Sequence, residues 1–178
     1  MSPTQPVAHN IPKELLVVMG VSGSGKTTIA KGLQNALGWP FQEGDSLHPA
    51  QNVAKMASGQ PLTTEDRWPW LIACRTWLEQ CATEQTGGIL TCSALKRDYR
   101  DLLRATGLTP IFIYLHTSTD ILLNRLKNRQ GHYMPASLLP SQLETLEPPM
   151  PDERTLTIDS ATPPPQTIAE IISHLSRR

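Results

Sequence analysis

The stretch from Gly20 to Thr27, GVSGSGKT, constrains this 178-residue chain more than any other segment. It matches the pattern G-x-x-x-x-G-K-[ST] in full. The apolar run from Leu15 to Met19 precedes it, as a strand buried on both faces would, and a helical stretch from about Lys26 to Leu37 follows. This order of strand, glycine-rich turn and helix predicts a phosphate-binding loop at the start of a parallel sheet.

The residues of this loop have distinct expected roles. Glycines allow backbone angles at which N–H groups point at phosphate oxygens, and the N-terminus of the next helix adds a favourable dipole. Lys26 is expected to reach the β- and γ-phosphates, and the Thr27 hydroxyl to ligate Mg²⁺. The predicted nucleotide-binding residues are Gly20, Val21, Ser22, Gly23, Ser24, Gly25, Lys26, Thr27 and Thr28.

Strands and helices alternate along the rest of the chain. Further strands are predicted at 39–42, 88–92, 110–115 and 155–159, and helices at 52–57, 65–84, 95–105, 120–129 and 166–175. This alternation predicts an α/β fold with a parallel sheet covered by helices on both faces. Ligands of such folds lie at the carboxyl ends of the strands, and the polar motifs described below all follow predicted strands.

The length and composition of the chain predict a single domain at 13–178, preceded by a flexible tail at 1–12. The 16 basic and 16 acidic residues balance, which argues against a nucleic acid partner, and the apolar runs are too short to span a membrane. The first ten residues lack the basic start and apolar stretch of a secretory signal. Cys74, Cys81 and Cys92 lack metal-site spacing, so we expect buried free thiols in the reducing cytoplasm.

Two carboxylates, Glu43 and Asp45, flank a glycine after the second predicted strand. Asp45 is a candidate acceptor for the proton of an attacking hydroxyl, and Glu43 is a candidate for the metal side of the site. These residues alone fit a simple turn equally well, since Gly and Asp both favour turns.

Arg67 lies beside two tryptophans, and its planar guanidinium suits a carboxylate. Taken alone, however, that segment favours a surface arginine whose stem covers Trp68. Lys96 and Arg100 are four residues apart near the start of a predicted helix, so both could face one anionic substrate. A solvated basic helix face is the alternative.

Arg125 and Arg129 precede Gly131 in the stretch RLKNRQGHYM. Arginines that close over ATP can neutralise the charge that develops on a transferred phosphoryl group. The alternative is a solvated helix end, where arginine complements the helix dipole.

Together these segments resemble the gluconate kinase family, which makes 6-phosphogluconate with ATP. The matching stretches span Met19 to about Pro149 and read GVSGSGKTT, EGDSLHPAQNVAKMASGQPLTTEDRWPWL, TCSALKRDYRDLLR, IYL, RLKNRQGHYM and SQLETLEPP. The resemblance implies a five-stranded parallel sheet, as in shikimate and nucleoside monophosphate kinases, a mobile lid around 125–140, and a homodimer. It also implies ATP and Mg²⁺ as cofactors and gluconate as the substrate.

The resemblance further assigns residues. It implies that Asp45 contacts the substrate hydroxyls and that Arg125 and Arg129 belong to the lid. The implied gluconate pocket consists of Asp45, His48, Arg67, Lys96, Arg100, His132 and Gln142. The family often has Asp at the position of Glu43 and Phe at the position of Tyr133.

Two other functions fit parts of this pattern. One is a kinase for another small acid or for a nucleoside monophosphate. The other is a nucleotide-binding switch without catalysis, but the chain has no Asn-Lys-x-Asp stretch to recognise guanine. A switch would turn over ATP no faster with any small molecule, whereas a kinase would consume ATP only with its acceptor.

Overall fold

The computed structural model describes residues 11–128 and 136–178. Within these residues five strands form: β1 (Leu15–Met19), β2 (Phe41–Glu43), β3 (Gly88–Thr91), β4 (Ile111–His116) and β5 (Thr155–Asp159). They pair in the order β2-β3-β1-β4-β5, and every pair is parallel. The α/β fold with a five-stranded parallel sheet is therefore confirmed.

Seven α-helices flank this sheet in the described part of the chain. They are α1 (Lys26–Leu37), α2 (Ala50–Ala57), α3 (Thr64–Glu84), α4 (Arg97–Arg104), α5 (Thr119–Lys127), α6 (Leu139–Thr145) and α7 (Pro164–Ser176). Short 3-10 turns lie at Gly44–Leu47, Ala105–Gly107 and Ala136–Leu138. Ser118 caps α5, since its hydroxyl accepts a hydrogen bond from the backbone N–H of Ile121.

The residues of β1 alternate between two apolar cores, one on each face of the sheet. Leu16 and Val18 pack with α1 and α7, whereas Leu15, Val17 and Met19 pack with α3 and α4. Because both faces are covered, every position of β1 is apolar, which explains the continuous run that marks this strand in the sequence.

The three cysteines are buried as free thiols in the second of these cores, as predicted. None of the helices in residues 11–128 and 136–178 combines the length and the apolar character needed to cross a bilayer. The predicted tail at 1–12 lies almost wholly outside the described residues, as does the stretch 129–135 of the predicted lid at 125–140.

Side-chain hydrogen bonds hold the first turn of α3 in place. Thr63 accepts a hydrogen bond from the backbone N–H of Asp66, and the Asp66 carboxylate accepts one from the backbone N–H of Thr63. This reciprocal cap holds the first turn of the helix. The same carboxylate lies 2.6 Å from the Lys55 ammonium, so α2 is tied to the start of α3.

Candidate active site

A cavity of about 370 Å³ lies where the carboxyl ends of β1, β2 and β3 meet the start of α3. Most of the predicted site residues line this cavity: Ser22, Gly23, Gly25, Lys26, Thr27, Thr28, Glu43, Asp45, His48, Arg67, Arg125 and Gln142. The sheet edge expected from the topology is therefore where the polar residues converge.

The loop between β1 and α1 keeps its shape through close backbone contacts. Gly20 has a φ of +146°, and a Cβ at this position would lie 2.7 Å from the carbonyl oxygen of Leu115. Glycine is therefore required here. The Lys26 ammonium donates to the carbonyl oxygens of Gly20 and Val21 at 2.9 and 3.0 Å, which holds it at the loop.

Two more side chains contact this loop from distant parts of the chain. The side-chain oxygen of Gln142 on α6, itself buried, accepts a hydrogen bond from the backbone N–H of Ser22 at 2.7 Å. The Arg125 guanidinium donates to the carbonyl oxygens of Gly23 and Ser24 at 3.3 and 3.4 Å, and to the Ser160 carbonyl oxygen. Both predicted residues thus lie against the phosphate loop, whereas Arg129 and His132 lie outside the described residues.

Oxygen ligands for a cation meet between the loop and β2. The Thr27 hydroxyl donates to Glu43 Oε2 at 2.8 Å, and the Thr91 hydroxyl donates to Glu43 Oε1 at 2.6 Å. Hydroxyl and carboxylate oxygens are the ligands Mg²⁺ prefers, and this ion often takes only one or two protein carboxylates beside water and phosphate. Among the described residues there is no group of three or more His, Cys, Asp or Glu side chains that could hold a metal ion.

Thr91 is a site residue that the sequence analysis missed. It lies at the end of β3 and orients a carboxylate supplied by the neighbouring strand. The backbone N–H of Gly44 also donates to its hydroxyl at 3.0 Å. Thr91 therefore fixes both Glu43 and the turn that follows it.

The turn that carries Asp45 packs directly on the end of β3. A Cβ at Gly44 would lie 1.9 Å from the carbonyl oxygen of Thr91, so only glycine allows this approach. The buried Trp70 indole N–H donates to the Gly44 carbonyl oxygen at 2.8 Å. Glycine and tryptophan together hold Asp45 in the wall of the cavity.

The His48 ring is stacked on Trp70, with 4.1 Å between centroids and 17° between planes. Burial, and then the positive charge of Arg67, lower the pKa of His48 from 6.5 to about 4. The ring is therefore neutral at physiological pH.

Arg67 is buried beside Tyr99, to whose hydroxyl oxygen it donates at 3.2 Å. The Tyr99 hydroxyl also lies 3.0 Å from the Thr64 hydroxyl, so it can accept from Arg67 and donate to Thr64. No carboxylate pairs with Arg67 in the described part of the chain. The Lys96 ammonium lies 5.9 Å from the centre of the same ring, which brings a second cation near Arg67, although Lys96 does not line the cavity.

The structure corrects the prediction for Arg100. Its side chain is fully buried, and its guanidinium donates to the Glu153 carboxylate at 2.7 Å and to the carbonyl oxygens of Ala94 and Glu147 at 2.8 and 3.0 Å. The expected pairing with Lys96 was wrong because α4 begins only at Arg97, which leaves Lys96 as an extended capping residue. Arg100 is occupied by protein groups and does not line the cavity.

Comparisons with known proteins agree with this geometry. The chain matches the family model described as shikimate kinase over residues 22–176. It is 55% identical over 159 residues to a gluconokinase of Gluconobacter oxydans (strain 621H), and the alignment covers 89% of each chain.

Two solved structures are similar over nearly the whole chain. A gluconokinase from Sinorhizobium meliloti 1021 superposes with a TM-score of 0.81 at 46% identity, covering 94% of this chain and 93% of its own. A sugar kinase from Janibacter sp. HTCC2649 superposes with a TM-score of 0.86 at 47% identity, covering 91% of this chain and 94% of its own.

Proposed function

The chain belongs to the gluconokinase family, and from that premise we propose that it transfers the γ-phosphate of ATP to D-gluconate, giving 6-phospho-D-gluconate and ADP. One observation carries the proposal from the structure: a single cavity joins the phosphate loop to Asp45, His48 and Arg67. Such a cavity places a phosphoryl donor beside acceptor, donor and cationic groups suited to a polyhydroxy acid.

The loop side of the cavity is proposed to bind the triphosphate. Backbone N–H groups of the loop and the N-terminus of α1 provide positive ends of dipoles. The Lys26 ammonium, which now contacts loop carbonyls, is a donor for the β- and γ-phosphates. Arg125 lies against the same loop and supplies a second positive charge to this side.

Thr27 and Glu43 are the residues proposed to hold Mg²⁺, Thr27 directly and Glu43 directly or through water. When bound, the ion would neutralise charge on the phosphate oxygens. Thr91 supports this role by fixing the Glu43 carboxylate next to the Thr27 hydroxyl.

Asp45 is proposed to accept the proton of the primary hydroxyl of gluconate. As the hydroxyl oxygen bonds to the γ-phosphorus, the bond from that phosphorus to the β,γ-bridging oxygen breaks, and ADP leaves with the electron pair. The protein contributes mainly by positioning and by charge stabilisation. Trp70 supports this role, because its bond to the Gly44 carbonyl holds the turn from which Asp45 extends.

Recognition of the acid is proposed to rest on Arg67, with Lys96 as a nearby cation. Arg67 is buried and donates to a neutral phenol, so no carboxylate of the described residues neutralises its positive charge. A carboxylate that reaches it would form a charge-assisted pair. His48, held neutral, would meet a substrate oxygen without adding charge.

The match to the shikimate kinase model favours a second candidate, a kinase of a cyclic hydroxy acid. A coupled assay of ADP release separates the two, with gluconate, shikimate, gluconolactone, glucose and nucleoside monophosphates offered at equal concentrations. We expect ATP consumption with gluconate, and the Lys26→Ala protein, after its fold is verified by circular dichroism, serves as the blank. Faster turnover with shikimate or a nucleotide, or no response to any acceptor, would contradict the proposal.

We also propose that the enzyme works in the cytoplasm as a homodimer. Three free thiols support a reducing compartment. The exposed apolar side chains Trp68 and Ile72, one turn apart on α3, would lose water contact in a dimer. Sedimentation equilibrium of the wild type and of an Ile72→Glu variant tests the association, which the charged side chain should weaken.

A further inference from the structure

Asn52, on α2, is almost completely buried and takes no part in the chemistry described so far. Its side-chain amide lies 2.7 Å from the backbone carbonyl oxygen of Asp66. A backbone carbonyl can only accept a hydrogen bond, so the amide atom facing it must be the NH₂ group. The orientation of the Asn52 amide is therefore fixed by chemistry.

The same NH₂ group lies 3.3 Å from Nδ1 of His48. An amide NH₂ has two protons and no lone pair to offer, so Nδ1 must act as the acceptor. A neutral imidazole whose Nδ1 accepts carries its proton on Nε2. One face of the ring is covered by Trp70, and Nε2 is its remaining polar atom for a ligand in the cavity.

The ring of His48 has charged groups near it on its own turn and on the helices α2 and α3. Asp45 lies on the same turn, Arg67 comes from α3, and the ion pair of Lys55 and Asp66 lies beyond Asn52. Burial and Arg67 both oppose protonation of the ring, and Asn52 presents a donor, which also disfavours a second proton on the ring. The neutral form with one donor and one acceptor nitrogen is thus the form that meets substrate.

We propose that Asn52 is a positioning residue that locks His48 in the Nε2–H tautomer, so that the ring offers gluconate a hydrogen-bond donor. The inference rests on the proposed function, since gluconate supplies the oxygen that accepts this bond. Asp45 accepts from one substrate hydroxyl while His48 donates to another oxygen. Such a pair of opposite roles distinguishes a polyhydroxy acid from a molecule that presents only acceptors.

The tautomer can be measured without any activity. Long-range ¹H–¹⁵N spectra of the ¹⁵N-labelled full-length protein distinguish a protonated from an unprotonated ring nitrogen, and the His48→Gln protein identifies the His48 signals by their loss. We expect Nε2 protonated and Nδ1 unprotonated in the wild type at neutral pH. A protonated Nδ1 would overturn the proposal, whether or not the protein phosphorylates gluconate.

A second test uses Asn52→Asp, which replaces the donor by a carboxylate that accepts from Nδ1–H. The neutral ring should then lose its proton on Nε2, and KM for gluconate at about pH 8.5 should rise roughly 2- to 12-fold, the effect of one hydrogen bond. The carboxylate should also raise the pKa of His48. As the pH falls towards about 6 the ring should gain a second proton, restore Nε2–H and bring KM back towards the wild-type value.

The wild type should show no such recovery, because its ring stays neutral over that range. Gln51→Glu is the matched control: it adds the same charge one residue away on the exposed side of α2 and should leave KM unchanged. A KM rise in Asn52→Asp that is the same at both pH values would mean a purely structural role and would contradict the proposal. An inactive wild type with an Nε2–H ring would instead refute gluconate as the substrate.

Discussion

Arg67 and Arg100 are both buried, but their guanidinium groups meet different partners. Arg67 belongs to the cavity wall, which we define as Asp45, His48, Arg67 and Trp70, and it donates to a neutral phenol. Arg100 belongs to a frame behind the cavity, defined as Arg100, Arg104 and Glu153, in which two arginines share one buried carboxylate.

The difference separates a buried charge that lines the cavity from a buried charge that a carboxylate neutralises. A buried charge is costly to desolvate unless a partner neutralises it. Glu153 does this for Arg100, and all three nitrogens of that guanidinium donate to protein groups. Arg67 keeps its positive charge, and this charge helps to depress the pKa of His48.

The frame nevertheless shapes the cavity. Arg100 donates to the carbonyl oxygen of Ala94, which has a φ of +47° and therefore a backbone conformation that costs about 1 kcal/mol in a residue other than glycine. The neighbours Ser93 and Leu95 line the cavity. Arg100 thus stabilises a strained loop beside the cavity without lining the cavity itself.

The largest effect is expected from Arg100→Ala, which leaves Glu153 buried beside only one arginine. Breaking a buried ion pair typically costs about 3–5 kcal/mol, so the free energy of unfolding in urea should fall by that amount. The paired replacement Arg100→Met with Glu153→Leu should recover much of the loss. Arg97→Ala, on the same helix but in an exposed pair with Asp152, should change stability little. Similar losses in the two single variants would remove the distinction between frame and surface.

The second largest effect is expected from acid, which should reduce the stabilisation that the frame provides. Burial raises the pKa of Glu153, but hydrogen bonds from Arg100, from the Met150 N–H and from Arg104 outweigh it and lower the pKa from 4.5 to about 2. A folded-state pKa below the unfolded value means that the stabilisation is complete above about pH 4.5 and is lost as the pH falls towards 2. It amounts to about 3 kcal/mol. Urea unfolding at several pH values should show a shallower acid loss in the Arg100→Met, Glu153→Leu protein, and an unchanged slope would contradict this account.

Arg67→Ala tests the cavity wall. A charge-assisted hydrogen bond contributes about 1.5–3 kcal/mol, so KM for gluconate should rise roughly 10- to 150-fold while KM for ATP stays near the wild-type value. Arg67→Lys should restore only part of the loss, because the two-pronged contact is absent. Arg75→Ala, on the same helix and paired with Glu79, is the control and should leave both KM values unchanged. A wild-type KM for gluconate in Arg67→Ala would show that the substrate is bound elsewhere.

The smallest effect is expected from Tyr99→Phe, which keeps the ring beside Arg67 and Lys96 and removes only the hydroxyl. The hydroxyl affects the substrate only indirectly, by orienting Arg67, so KM for gluconate should rise by less than in Arg67→Ala, roughly 2- to 12-fold, which corresponds to about 0.5–1.5 kcal/mol. If Tyr99 acts by orienting Arg67, the change should have no further effect in the Arg67→Ala background. Additive effects of the two changes would mean that Tyr99 contacts the substrate on its own.

Sequence predicted the elements whose signals are local. The apolar run of β1 and the loop that follows it identified the nucleotide side, and the bounds of β1, α1 and β5 agree with the structure. The helix α6 was not predicted, because its seven residues are too few to show a helical period. The predicted start of α4 was two residues too early, because alanine does not indicate the left-handed turn that the backbone makes at Ala94.

The different surroundings of Arg67 and Arg100 could not be predicted from the residues next to them in the sequence. Glu153, which neutralises Arg100, lies 53 residues further along the chain in a segment without a recognisable motif. Thr91 and Asn52 likewise act through contacts made only in the folded chain, with Glu43 and with the Asp66 carbonyl. Sequence therefore indicated which residue types were available, and tertiary packing decided which of them line the cavity.

The central claim is that selection of a sugar acid depends on the charge of Arg67, and the ratio of kcat/KM for gluconate to kcat/KM for glucose tests it most directly. The ratio should be measured in the wild type, in Arg67→Ala and in Arg75→Ala. We expect a strong preference for gluconate in the wild type and in Arg75→Ala, and a ratio at least about tenfold lower in Arg67→Ala, because only the charged substrate loses a partner. Equal use of glucose and gluconate by the wild type, or a ratio unchanged by Arg67→Ala, would contradict the claim.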